Sequence, residues 1–429
     1  MTRRISEQDV LEMDRNDPML RFRKEFCIPA ETIYMDGNSL GLQCRGAASN
    51  IEAVIRDWRD RGIGGWLDGS PPWFSMSETL GEQTAPLVGA APGEVVATGT
   101  TTLNIHALTA SFFSPRPGRD RILADELNFP TDLYALAGQL RLRGLDPDQH
   151  LVRVRSRDGR TLDEEDIIAA MTDDIALVFL PSVLFTSGQL LDIPRLTAAA
   201  RERGIPIGFD CSHSAGAVPH RLHEWDVDFA VWCSYKYLNG GPGSPAFLFV
   251  HQRHHGVHRP LLAGWFGFVK ERQFDMLPDF SPQPDAGGWQ ISSPGVLGAA
   301  AVTGAVKVSL DAGIQAIRER SLRLTDLLMR LVDDRLARPP YAFAVANPRE
   351  ATRRGGHVAL VRATESLRIA AALRARGMIP DFRPPDTIRI APVALYNTAH
   401  EVYRVVEALR EIVDNREFAG FSSTPGAIT

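Results

Sequence analysis

Lys236 closes an apolar run, Ala230-Val231-Trp232-Cys233-Ser234-Tyr235-Lys236, just before the turn Gly240-Gly241-Pro242-Gly243. An ammonium at the C-terminal end of a buried strand is desolvated, which lowers a lysine pKa and frees the amine to form a Schiff base with a carbonyl. The competing reading is a lysine that snorkels from a strand end into water. The preceding apolar segment ends Gly208-Phe209-Asp210-Cys211-Ser212-His213, so a carboxylate and an imidazole reach the same sheet edge, where ligands of open α/β sheets gather. A buried Asp beside a pyridinium nitrogen keeps it protonated and makes pyridoxal phosphate an electron sink. Taken alone, Asp210 reads equally well as a helix cap or a turn residue. Gly99-Thr100-Thr101-Thr102-Leu103-Asn104 offers amides and hydroxyls at a strand-to-helix junction, a pattern that holds phosphate.

Other clusters carry less. The glycine turn after Lys236 lacks the Lys-Ser/Thr pair of a phosphate loop and opens no amphipathic helix. His251, His254, His255 and His258 have near-metal spacing but run from a strand into a polar loop, so a solvated turn and no metal centre is expected there. Only four of the 47 basic residues are lysines: Lys24, Lys236, Lys270 and Lys307. Arginine stays protonated, so chemistry that needs a deprotonatable amine draws on those four.

The elements that must position these residues follow from periodicity. Apolar runs at 95–98, 121–125, 151–155, 175–180, 205–210, 229–234 and 247–251 read as strands, and amphipathic stretches at 103–113, 131–143, 162–171 and 193–203 read as helices. This alternation predicts an α/β fold: a mostly parallel central sheet with helices on both faces. Helices at 47–59 and 77–88 precede it, and one long helix over 306–336 leads to a smaller C-terminal α+β region. The expected division is an N-terminal segment over 1–45, a large cofactor-binding domain over 46–305, a small domain over 306–414 and a disordered tail over 415–429.

The chain has 429 residues, is 44% hydrophobic and carries 52 acidic against 47 basic side chains, a net charge of -5. Such a balance argues against a nucleic-acid surface, which needs a basic stripe. The apolar stretches are far shorter than the roughly 20 residues of a membrane span, and the N-terminus lacks the pattern of a secretory signal, so a cytoplasmic protein is expected. Cys27, Cys44, Cys211 and Cys233 show no C-x-x-C spacing, and none lies beyond Lys236.

The motifs Gly37-Asn38-Ser39-Leu40-Gly41, Phe129-Pro130-Thr131-Asp132, Trp232 to Asn239, Gly264-Trp265-Phe266-Gly267 and Arg389-Ile390-Ala391-Pro392-Val393 occur in this order. Over about residues 34–413 the chain resembles the kynureninase family, pyridoxal-phosphate hydrolases of the class V aminotransferase group with fold type I. The resemblance implies hydrolysis of L-kynurenine to anthranilate and L-alanine in tryptophan catabolism, by a homodimer with shared active sites. It makes Lys236 the Schiff-base lysine, Asp210 the partner of the pyridine nitrogen, with His213 nearby, and Tyr235 an acid or base that also binds phosphate. Phe129 would stack on the cofactor, with Asp132 in the same pocket. Thr101, Thr102, Tyr235 and Trp265 would surround the phosphate, Trp265 coming from the second subunit. Arg389 would clamp the substrate carboxylate, a role that suits its bidentate fork. Trp66 and Ser293 would line the aromatic end of the pocket, with Ser293 also near the cofactor. Cys211-Ser212, Phe268 and Pro181 depart from the family pattern. A cysteine desulfurase or selenocysteine lyase would share the fold but needs a mobile cysteine beyond Lys236. A paralogue acting on a ring-modified kynurenine is the remaining alternative.

Overall fold

The structure, a computed structural model, describes residues 4–424. Seven strands form the central sheet: β1 (Val95–Ala97), β2 (Arg121–Asp125), β3 (Leu151–Val154), β4 (Ile175–Pro181), β5 (Ile207–Asp210), β6 (Phe229–Cys233) and β7 (Ala246–Val250), in the order β1-β7-β6-β5-β4-β2-β3. All neighbours run parallel except β7, which is antiparallel to both β1 and β6. Every residue of β4 to β7 is buried, because each strand packs on both faces. Alternate side chains therefore feed two separate cores. Leu123, Val178, Phe209, Trp232 and Phe247 face one, with the helices Met76–Val88, Ile193–Glu202 and Val296–Ala312; Ile122, Leu177, Phe179, Val231 and Leu248 face the other, with Thr101–Phe112 and Pro130–Leu142.

The expected single helix over 306–336 is two, Val296–Ala312 and Ile314–Arg335, which meet at 80°. Gly313 stands between them at φ +79°, a conformation that costs glycine little and stops the first helix. The first helix crosses Arg45–Arg61 so closely that a Cβ on Gly304 would lie 2.3 Å from the Gly46 carbonyl carbon.

The C-terminal region is a four-stranded antiparallel sheet ordered Asp381–Arg383, Thr387–Ile390, Val358–Val361, Ala344–Val345. It packs with the helices Ile314–Arg335, Ser366–Ala375 and Ala399–Asp414 around a third core. Val10, Ile33 and Met35, from the first 45 residues, are built into that core. The Asp14 carboxylate accepts the Ala399 and His400 amides at 2.7 and 2.9 Å, capping the last helix from outside.

The expected disordered tail fails over 415–421. A 3-10 turn, Glu417–Gly420, docks on the helix Ser366–Ala375: Arg368 donates to the Ala419 and Phe421 carbonyls at 2.7 and 2.8 Å, and Arg376 bonds Glu417 at 3.0 Å. Two apolar side chains, Phe418 and Phe421, pack against the small core, and their burial outweighs the loop-like composition. The last five positions of that expected tail, 425–429, lie outside the described residues. Among the described residues no single helix is long and apolar enough to cross a membrane.

Candidate active site

β1, β2, β5 and β6 point the same way, so their C-terminal ends share one edge of the sheet, and the expected residues collect there. Lys236 follows β6 by three residues; its Nζ lies 3.0 Å from His213 Nε2, which follows β5, and 5.9 Å from the centre of the Phe129 ring. Phe129 caps the helix Pro130–Leu142 after β2, and its ring meets Phe185 edge-on at 5.2 Å. Thr101 and Thr102 open the helix Thr101–Phe112 after β1, and the Thr102 hydroxyl lies 2.8 Å from that of Thr131. Two helix N-termini thus meet, with unpaired amides and the positive ends of two helix dipoles directed at the pocket. The loop 37–41 closes the lysine turn: the Gly41 amide donates to the Tyr235 carbonyl at 2.7 Å.

The carboxyls at this edge are arranged for charge. Asp210 accepts the Ser212 amide at 2.7 Å, and its backbone carbonyl accepts the Ser182 amide at 2.8 Å and the Ser182 hydroxyl at 3.0 Å. Asp132 is wholly buried beside it, and neither of its oxygens meets a donor. Burial first, then repulsion from Asp210 and Asp125, holds the Asp132 carboxyl well above the ordinary range. Burial also raises Asp210, with the Lys236 ammonium and Ser212 opposing it. Both carboxyls are thus held above the ordinary range, and Lys236 and Ser212 favour the charge on Asp210 over Asp132. His213 is driven the other way, well below the usual imidazole value, by burial and by Lys236, so it is neutral and can accept a hydrogen bond from Nζ. Burial raises the Tyr235 phenol, which keeps it protonated and a hydrogen-bond donor.

Arg389 reaches the site from the small domain. It is 1% exposed; its guanidinium bonds Asp381 at 2.5 Å, the Phe185 carbonyl at 2.7 Å and the Ser39 hydroxyl at 3.1 Å. Asp381 faces Arg389 directly in the strand register and also takes Arg383 Nε at 3.0 Å. Nearby Asp36 is pushed up to about 6 by burial and by Asp381.

Three expected residues sit elsewhere. Trp66 packs edge-on against Trp73 at 5.9 Å and against Phe266 at 5.8 Å. Trp265 is 44% exposed and meets Phe274 at 5.8 Å, and Ser293 is exposed. Among the described residues no hydrogen bond or ring contact joins these three to the Lys236 group. The unusual positions have structural places: Cys211 is in the sheet core with its thiol pushed up to about 12, Phe268 is buried against Phe280, and Pro181 ends β4 beside Asp210 in the register.

Sequence reasoning missed Asp125, wholly buried, whose carboxyl burial pushes up to about 7. Its signal was the one that marked Asp210, a carboxylate ending an apolar strand. It also missed Asp381, Arg383 and Phe185, which carry no local pattern, and the contact of Ser39, read only as part of the 37–41 motif; the four gather around Arg389 from three separate segments.

The residues fit pyridoxal phosphate. The buried Asp210 carboxyl beside Asp132 suits a cationic ring nitrogen, the Phe129 face suits a flat ring, the paired helix N-termini suit a phosphate, and Lys236 is the amine within reach.

Residues 317–409 match the kynureninase C-terminal domain. A kynureninase of Geobacillus thermodenitrificans is 50% identical over 96% of this chain and 95% of its own, and one of Bacillus thuringiensis subsp. konkukian is 52% identical over 96% of each. Among solved structures, a cysteine desulfurase from Thermococcus onnurineus NA1 superposes with a TM-score of 0.76 at 18% identity, covering 92% of this chain and 98% of that one. The cystine C-S lyase C-DES with its product cysteine persulfide gives 0.76 at 16%, covering 89% and 97%, which is a likeness of fold alone. With half of its residues shared along nearly its whole length with curated kynureninases, and with the lysine, carboxyl pair and arginine gathered at one edge of the sheet, this chain belongs to the kynureninase family.

Proposed function

We propose that the protein hydrolyses L-kynurenine with water to anthranilate and L-alanine, using pyridoxal phosphate held by Lys236, Asp210, Asp132, His213, Phe129, Thr101, Thr102 and Tyr235. The cofactor supplies an electron sink for bonds at the substrate α-carbon. The chain's own residues do the rest. Arg389 binds the α-carboxylate through its planar fork, and Asp381 and the Phe185 carbonyl keep that fork oriented. Lys236 Nζ, steadied at 3.0 Å by neutral His213, accepts the α-proton. Asp210, where Lys236 and Ser212 favour the charge, would hold the ring nitrogen, with Asp132 as its protonated neighbour. The protonated Tyr235 phenol donates to the phosphate and can return a proton. The observation that carries this reading is the Lys236–His213 contact above Phe129, next to two buried carboxyls.

The active unit is a homodimer. Trp58, Ile63, Leu67, Phe274 and Met276 are 64%, 85%, 71%, 75% and 70% exposed, and the Trp66–Phe266 contact joins their two segments into one apolar face. Such a face favours a covering partner, and an isologous pair covers it twice. Trp66 and Trp265 belong to these segments, and the reading assigns them, together with the exposed Ser293, to the site of the other subunit. Trp66 then offers a flat apolar wall that suits an unsubstituted aniline ring, and kynurenine is preferred over 3-hydroxykynurenine by about 10²-fold, the scale for a pocket that merely lacks a hydroxyl partner. Turnover of both substrates, followed by anthranilate fluorescence and product chromatography, tests the reading. Absence of turnover of either substrate by cofactor-loaded protein refutes it, and equal or greater kcat/KM for the hydroxylated substrate refutes the role of Trp66. Borohydride reduction must also fix the cofactor on Lys236; an adduct on another lysine overturns the assignment.

A further inference from the structure

The small domain brings a second side chain to the lysine. His357 immediately precedes the strand Val358–Val361, which pairs with the strand Thr387–Ile390 that carries Arg389. It is wholly buried, and its ring meets that of His213 at 5.9 Å between centroids, tilted by 62°. Asn347 pins its backbone: the Asn347 side-chain amide donates to the His357 carbonyl at 2.8 Å, and the Asn347 side-chain oxygen accepts the Ala359 amide at 2.7 Å.

The ring nitrogens fix where the protons go. A lysine ammonium has only donors, so the 3.0 Å contact with Lys236 Nζ makes His213 Nε2 the acceptor and puts the His213 proton on Nδ1. Among the described residues that Nδ1 meets no hydrogen-bond partner, and neither does Nδ1 or Nε2 of His357. A buried donor left unpaired costs about 1–3 kcal/mol, and these three nitrogens lie in two adjoining rings. A neutral imidazole has one donor and one acceptor. Burial, then Arg389, with Lys236 and Arg383 adding to it, pushes His357 down to about 3, so its ring is neutral. The Thr186 backbone approaches this ring and favours a proton on it, but falls short of hydrogen-bond geometry. The lone pair of the other ring nitrogen is then left for His213, and a small turn of either ring or one water spans the gap.

We propose that His357 is a positioning residue for the reaction: it takes the hydrogen bond of His213 Nδ1 and so fixes the tautomer whose Nε2 lone pair faces Lys236. Which nitrogen of a histidine carries the proton is set by the bond that the other one makes. In the Nδ1-protonated form, Nε2 accepts an N–H of the amine and leaves the Nζ lone pair free to take up a proton. In the Nε2-protonated form, Nε2 donates to that lone pair and blocks it. The small domain thus supplies both Arg389 and the group that orders His213. This inference rests on the reading of Lys236 as the acceptor of the α-proton.

Nitrogen-15 NMR of histidine-labelled protein at pH 8 reads the tautomer directly. Lys236→Ala removes the ammonium and leaves His357 as the group that orders His213. The expected result is a proton on His213 Nδ1 in the parent holoenzyme and in Lys236→Ala, and a mixture of both tautomers in Lys236→Ala/His357→Leu. The Nδ1 form returns in Lys236→Ala/His357→Gln, whose side-chain oxygen can accept. Kinetics of the single variants follow the same order: kcat of His357→Leu falls by about tenfold, the scale of one lost hydrogen bond, with KM within about twofold of the parent. His357→Gln regains most of that loss. A parent holoenzyme whose His213 carries its proton on Nε2 overturns the proposal, whether or not any variant folds. So does an unchanged tautomer in Lys236→Ala/His357→Leu, or a His357→Gln enzyme as impaired as His357→Leu. The tautomer is read without turnover, so a protein that hydrolyses no kynurenine yet shows this pattern refutes the proposed reaction while the pairing of the two histidines stands.

Discussion

Gly41→Ala puts the loop 37–41 to work as a ruler for the lysine turn. A Cβ on Gly41 would lie 2.4 Å from the Lys236 carbonyl oxygen, 2.4 Å from Asn239 Oδ1 and 2.8 Å from the Asn239 Cα, where ordinary contact begins at 3.4 Å. The Asn239 amide can swing aside, but the Lys236 carbonyl and Asn239 Cα are backbone, so the turn must retreat by about 1 Å. Crowding of this kind costs about 1–3 kcal/mol. A displacement near 1 Å at a reacting group costs about 10²-fold in rate. The Gly41 amide bond to the Tyr235 carbonyl transmits the shift to both neighbours of the peptide that carries Lys236. We expect kcat for kynurenine to fall by about 10²-fold, with the melting midpoint lowered by a few degrees and the cofactor still bound. Gly420→Ala is the control, because a Cβ there meets nothing within 4 Å and its φ is ordinary. If Gly41→Ala turns over within a factor of about two of the parent, the loop does not set the position of Lys236 and the reasoning is wrong.

Asp210→Asn leaves the protein folded and lowers kcat by orders of magnitude, because an amide cannot hold the ring nitrogen protonated; steady-state turnover near the parental value removes that role. Arg389→Lys raises KM by about tenfold or more through loss of the fork, whereas Arg389→Ala also destabilises by about 3 kcal/mol by stripping buried Asp381 of its main partner, which urea unfolding separates from the kinetic effect. Mixing Lys236→Ala with Trp265→Ala subunits restores part of the activity, since one site of each mixed dimer is intact; no recovery places both residues in a single-chain site. Asp125→Asn tests burial. A carboxyl raised from 3.8 to about 7 contributes stability that is full below pH 3.8 and is lost as pH rises through 7. The variant lacks this loss, so its stability relative to the parent should climb by about 1.4 kcal/mol per pH unit across that window, up to about 4 kcal/mol, and level off above it. A difference that does not change between pH 5 and pH 8 contradicts a buried, protonated Asp125.

Much of this molecule was legible in the order of its residues. The seven strands could be read because each is an apolar run bounded by turn chemistry, and the observed ends differ from the expected ones by two residues at most. Lys236, Asp210 and His213 could be placed on one edge because parallel strands all present their C-terminal ends there, whatever the strand order. Other features needed the fold. The break at Gly313 was hidden inside continuous helical periodicity, since one glycine is compatible with a helix until packing selects its positive φ. The docked turn at Glu417–Gly420 depended on aromatic contacts with a helix some 40 residues away. Asp132 could be placed in the cofactor pocket by resemblance, but its raised carboxyl depends on burial beside Asp210, which comes from a non-adjacent strand. The same holds for the contact between Glu94 and His223, 129 residues apart, which carries no spacing signal. Local periodicity and turn chemistry act over a few residues and are written in sequence, while the protonation and partners of buried polar groups depend on which distant segments the sheet order brings within a few ångströms, and that only the tertiary structure decided.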